Sequence, residues 1–125
     1  TLHKVTGRMN SMMAGLCCGE PCTVSWDIIN NFANVFIACS DDYAAQGMRL
    51  LGMPQSGGAR IVSGESGAVT AGVLAALMQD PDLTQLRNEL GLDENSRVLL
   101  ISTEGATDKV NYLKVLSGKW KPENK

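Results

Sequence analysis

The sequence predicts an α/β fold, a three-layer domain built on a parallel sheet, and three observations carry that expectation. Continuous apolar runs of strand length occur at Val35-Phe-Ile-Ala-Cys39, at the start of Arg60-Ile-Val-Ser63 and at Val98-Leu-Leu-Ile101. Runs without alternation suit strands buried on both faces, as in a parallel sheet. Between them, apolar residues recur at three- and four-residue spacing, the helical period. The resulting order is helix, helix, strand, helix, strand, helix, helix, strand, helix, a layered α/β pattern.

Met9, Met12, Met13 and Leu16 share one face of an opening helix that Gly19-Glu20-Pro21 ends. Met at this spacing reads as core filler. Thr23 or Ser25 caps a second helix through Trp26, Ile28, Ile29 and Phe32, with Asp27 in its first turn. After the Val35–Cys39 run, Ser40, Asp41 and Asp42 open a helix carrying Tyr43, Met48, Leu50 and Leu51. Adjacent acids at a helix start read as capping in preference to metal binding. Residues 52–58 form a loop. Past the central strand, Val69, Val73, Leu74, Leu77 and Met78 stripe one helix face, and Ala and Gly let neighbours approach closely. Asp80-Pro-Asp82 stops that helix and starts another through Leu83, Leu86 and Leu90, with Gly91 as its C-terminal cap. The last run leads to a turn, 102–108, and a final helix near Lys109 to Leu116. The polar tail from residue 119 to 125 is expected to fray.

Composition narrows the function. The chain has 125 residues, 44% hydrophobic and 19% charged, which suits one globular domain with a core of its own. A formal charge of -2 and the absence of a basic stripe argue against nucleic acid. No apolar run approaches the roughly 20 residues of a membrane span. The opening Thr1-Leu-His-Lys-Val5 has neither an initiator Met nor a signal-peptide core, so a fragment or processed product is expected. Cys17, Cys18, Cys22 and Cys39 match no zinc-ligand spacing, and His3 is the only histidine. Reduced thiols in a cytoplasmic protein are the expectation, with Cys18 and Cys22 flanking a loop.

Two polar turns follow apolar runs: Ser63-Gly-Glu-Ser-Gly67 and Ser102-Thr-Glu-Gly-Ala-Thr-Asp108. In open α/β sheets, ligands sit beyond the carboxyl ends of strands. At the first turn, a helix N-terminus also offers backbone N–H groups and a partial positive charge. Taken singly, Ser66 reads as a helix cap and Glu65 as a first-turn acid. Taken together, the turns suggest one shared small-molecule site. No phosphate-loop lysine, catalytic histidine or nucleophile elbow accompanies them, so the residues describe half a site.

Three stretches carry a resemblance: Met13-Ala-Gly-Leu-Cys-Cys-Gly-Glu-Pro21, Ile61-Val-Ser-Gly-Glu-Ser-Gly-Ala-Val69 and Leu100-Ile-Ser-Thr-Glu-Gly-Ala-Thr-Asp108. In this order the chain resembles the diaminopropionate ammonia-lyase family, pyridoxal-phosphate enzymes with the tryptophan-synthase-β-like fold (fold type II). The resemblance spans nearly the whole chain but only the C-terminal part of the family. It implies that residues 1–118 are part of the large domain of such a lyase and that 119–125 are a tail. It also implies a wall of the pyridoxal 5'-phosphate pocket formed by Glu65, Ser66, Gly67, Ser102, Thr103 and Glu104. Of these, Ser102, Thr103 or Glu104 would meet the pyridine nitrogen, with Thr103 favoured. The family converts 2,3-diaminopropionate to pyruvate and ammonia. Its Schiff-base lysine, proton-abstracting acid and glycine-rich phosphate loop have no counterpart among these residues; Lys4, Lys109, Lys114, Lys119, Lys121 and Lys125 do not match the lysine motif. The resemblance therefore implies a fragment inactive alone, with no catalytic residue and no metal, that self-associates or docks on a missing N-terminal portion. The alternatives are a serine or threonine dehydratase fragment and a non-catalytic interaction module reusing the half-fold.

Overall fold

The structure, a computed structural model, describes residues 3–55 and 57–122. Five α-helices account for its regular structure: α1 (Thr23–Phe32), α2 (Asp41–Gly52), α3 (Glu65–Gln79), α4 (Thr84–Glu89) and α5 (Lys109–Leu116). Short 3-10 turns at Ala14–Leu16 and Pro81–Leu83 precede α1 and α4.

The centre of the fold is the contact between α2 and α3, reinforced by α5. Its closeness is set by two glycines. A Cβ on Gly47 would collide with the Ala68 carbonyl, and one on Gly72 with the Tyr43 carbonyl. The partners lie four residues apart on each helix (43 and 47, 68 and 72), so i±4 ridges interdigitate. Ala45, Met48, Ala68, Tyr112 and Val115 form the main buried cluster, with Met48 and Val115 fully enclosed. Ala44, Val69 and Met13 form a second cluster beside it. Arg49 ties α2 to α5 by donating from Nε to the Val115 carbonyl at 2.9 Å.

The parallel sheet is the main correction. Among the described residues there is no strand. The Val35–Cys39, Arg60–Ser63 and Val98–Ile101 runs carry no ladder, and apart from half-buried Cys39 and buried Ser63 they are exposed: Phe36 is 74% exposed and Leu99 85%. A strand is stable only when its N–H and C=O groups find neighbours, and these runs find none in one another. Among the described residues, the backbone bond these runs make is from the Ile61 N–H to the Leu51 carbonyl at 2.9 Å, ten positions away.

Helix α1 forms as the periodicity predicts, yet buries no residue and leaves Val24 and Phe32 on the surface. Its N-cap is Cys22; neither Thr23 nor Ser25 takes that role, and Ser25 Oγ donates instead to the Cys22 carbonyl. The expected opening helix from Met9 is reduced to the Ala14–Leu16 turn. Side-chain bonds take its place: Asp41 accepts from Ser11 Oγ at 2.5 Å and from the Met12 N–H at 3.0 Å, and Ser11 Oγ accepts from the Met13 N–H. Such bonds compete with the helical ladder.

The punctuation later in the chain follows the sequence. Asp80 accepts from the Asp82 N–H, Pro81 starts the 3-10 turn, and Gly91 follows α4 with φ +67°. Asp108 caps α5 by accepting from the Asn111 N–H at 2.9 Å. Gly52 closes α2, and residue 56 of the expected loop lies outside the described residues. The start of the expected tail folds back: Lys119 and Trp120 donate to the Lys114 carbonyl, and Trp120 packs against the main cluster. Residues 123–125 lie outside the described residues. No described helix is long and apolar enough to cross a membrane.

Candidate functional site

The turns at 63–67 and 102–108 meet, although no sheet holds them. Ser63, fully buried, shares a 2.7 Å hydrogen bond with Ser102 through their hydroxyls. The Gly64 N–H donates to the Glu104 carbonyl at 2.9 Å. Glycine at 64 and 67 permits this approach: a Cβ on Gly64 would strike the Gly105 carbonyl, and one on Gly67 would lie 2.7 Å from Ser63 Oγ and 3.0 Å from Glu104 backbone atoms.

Glu104 fastens the junction. Its Oε2 accepts from the Ser66 N–H at 3.0 Å and its Oε1 from Thr107 Oγ1 at 3.0 Å. Helix α3 begins after Gly64, which has no side chain to cap it. Glu104 supplies that missing cap from 38 residues away and places a negative charge at the positive end of the helix. The N–H groups that the sequence offers to a ligand anion are thus partly occupied by the protein's own carboxylate.

A cleft of about 600 Å³ opens beside this junction. Glu65 and Glu104 line it, together with Asp41, Asp42 and Asp108. Among the described residues, no Lys, Arg or His lines it. The carboxylates do not converge: no group of three His, Cys, Asp or Glu among the described residues is placed to hold a metal ion. Glu65 is 5% exposed, and its Oε1 accepts from Asn111 Nδ2 at 2.6 Å.

The structure therefore distributes the six residues singled out from the sequence. Glu65 and Glu104 reach the cleft. Gly67 is buried against the Glu104 backbone. The Ser66 hydroxyl lies against Gly15, buried and without a hydrogen-bond partner. Ser102 is held by Ser63, and Thr103 sits exposed beside it. Ser63 and Asn111 were not singled out. Asn111 carries no local signal of its role, because its partner Glu65 is 46 positions away.

The thiols are unpaired. At Cys22, hydrogen bonds from the Ser25 side chain and then from the Ser25 and Val24 backbone lower the thiol pKa. Cys39 is pushed up, first by burial and then by the charge of Asp41.

Pyridoxal phosphate is a divided fit to these residues. The Ser66 hydroxyl is buried without a partner, but the Ser102 hydroxyl is bonded to Ser63 and to the Glu104 carbonyl, and Ser66, Ser102 and Thr103 are not among the described residues lining the cleft. Among the described residues the cleft offers no cationic side chain for the phosphate, which its carboxylates would repel.

Comparison with known proteins finds similarity to curated enzymes and to solved structures. The similarity is to diaminopropionate ammonia-lyase, in its C-terminal portion. The chain is 50% identical to the Escherichia coli enzyme over 112 residues, 90% of this chain. It is 48% identical over 111 residues to that of Salmonella typhimurium, 88% of this chain. The chain spans 28% of the length of both curated relatives. Among solved structures, it is similar to the Escherichia coli lyase in complex with an aminoacrylate-PLP azomethine reaction intermediate. The TM-score is 0.82 at 50% identity, covering 87% of this chain and 29% of that one. No family model matches the sequence.

Proposed function

We propose that this stretch is the C-terminal part of a pyridoxal-phosphate-dependent diaminopropionate ammonia-lyase, with residues 1–118 belonging to its large domain. The 50% identity over 112 residues carries the reading. The junction of the two polar turns supports it, because it brings the matched motifs to one place. The three uncovered apolar runs support it as well. In this reading they are strands whose neighbours come from the rest of the polypeptide or from a second subunit, which restores the parallel sheet.

When bound, pyridoxal phosphate supplies an electron sink for bond breaking at the substrate's α-carbon. The residues here orient and enclose. Ser102 or Thr103 would offer a hydroxyl to the cofactor's pyridine nitrogen, with Ser63 holding the first of them. Glu104 locks the 102–108 turn onto α3, and Glu65 walls the cleft. The phosphate-binding loop, the Schiff-base lysine and the base that moves the α-proton lie outside these residues, so the stretch alone is inactive.

Grafting tests this directly. Replacing the matched stretch of the Escherichia coli enzyme with this one is expected to preserve pyruvate production from 2,3-diaminopropionate. The isolated chain with pyridoxal phosphate is expected to produce no more pyruvate than free cofactor. A folded graft without lyase activity would overturn the reading, as would a graft that acts only on serine or threonine.

A further inference from the structure

We infer that Glu65 is the recognition point for a primary ammonium group of a small organic ligand, and that Asn111 is the residue that positions it. The inference rests on the cleft being part of a substrate pocket, and it deepens that reading by assigning the pocket's cation-binding wall.

The Glu65 side chain stands out among the acids of the cleft. It is 5% exposed, lines the cleft, and has one hydrogen bond, from Asn111 Nδ2 to Oε1 at 2.6 Å. Its second oxygen has no partner among the described residues, and none of the described residues lining the cleft is cationic. A carboxylate so buried is ordinarily paired, because desolvation penalises the bare charge. Among the other cleft acids, Asp42 and Asp108 each have one bonded oxygen but are exposed to water. Asp41 is engaged through both oxygens by Ser11 and Met12, and Glu104 through both by Thr107 and Ser66. Glu65 is the buried acid with acceptor capacity to spare.

The surroundings select the type of cation. Three ligating side chains do not converge, which disfavours a metal ion. A cavity of about 600 Å³ admits a small organic molecule. An ammonium donates up to three hydrogen bonds, and a charge-assisted bond to a buried carboxylate is stronger than one between neutral groups. Asn111, in the first turn of α5, holds Oε1 and so directs Oε2; it acts through Glu65 and need not touch the ligand.

The test uses the 125-residue chain and ethylenediamine as the probe, followed by backbone amide NMR, with acetate and ethylene glycol as controls lacking ammonium groups. Saturable shifts at Ser66 and Asn111 with ethylenediamine alone are expected. Glu65→Gln, which keeps the shape and the acceptor for Asn111, is expected to weaken binding at least about tenfold. Absence of saturable shifts, equal affinity in E65Q, or equal binding of acetate would overturn the inference.

The Escherichia coli graft gives a second readout. There, E65Q is expected to raise KM for 2,3-diaminopropionate about tenfold, while the affinity for D-serine, which has no second amino group, changes by less than about twofold. Asn111→Ala is expected to shift KM in the same direction by less, with Asn111→Gln recovering part of the loss. An active graft indifferent to E65Q removes the inference and leaves the lyase reading standing; an inactive graft with Glu65 intact removes the lyase reading.

Discussion

The α2–α3–α5 core and the three apolar runs both carry large hydrophobic side chains, yet one is sealed and the other bare. In the core, Met48 and Val115 are fully enclosed and Gly47 and Gly72 bring backbones into direct contact. In the runs, Phe36 and Leu99 point largely into solvent. The difference is not in the residues but in where their partners lie. A helix satisfies its own backbone and needs a neighbour for only one face, whereas a strand needs neighbours on both edges and both sheet faces. The helices of this stretch find their neighbours locally, and the runs do not.

Breaking the core should give the largest effect. Met48→Ala empties a fully buried position and is expected to cost about 2–5 kcal/mol, read as a fall in the urea midpoint of the chain. Cutting the junction should give a middle effect. Glu104→Ala removes the cap of α3 and is expected to cost about 1 kcal/mol in the same measurement, with faster hydrogen exchange at the Ser66 amide. Altering the bare runs should give the smallest effect. Leu99→Ser is expected to change the stability of the chain by less than about 0.5 kcal/mol while lowering apolar-dye binding. In the Escherichia coli graft the same change is expected to cost about 2 kcal/mol or more. Equal costs in chain and graft would show that Leu99 gains no cover there.

The same contrast explains what was legible in the sequence. Helices α2, α3 and α5 were, because their periodicity and the Asp80-Pro81 break are local signals; the Asp108 cap of α5 emerges only in the structure. The Met9–Leu16 helix was misread because the Asp41 bonds to Ser11 and Met12 join residues about 30 positions apart. The expected sheet was read from the apolar character of single runs, but pairing is a property of two. At the site, the motifs marked the two turns and the glycines that let them touch. They left open which residues face inward, and Ser63 and Asn111 emerged only once the chain was folded.

The Glu104 cap has a consequence for how anions meet this protein. A free anion approaching the start of α3 encounters an incumbent that belongs to the same chain and cannot be diluted away. A tethered group of this kind has an effective concentration on the order of millimolar even when its linkage is flexible. An outside phosphate can prevail only by exceeding that level or by displacing the 102–108 turn, and displacement also breaks the 2.7 Å Ser63–Ser102 bond. Anion affinity at this helix end is therefore governed by the rigidity of a turn far away in sequence.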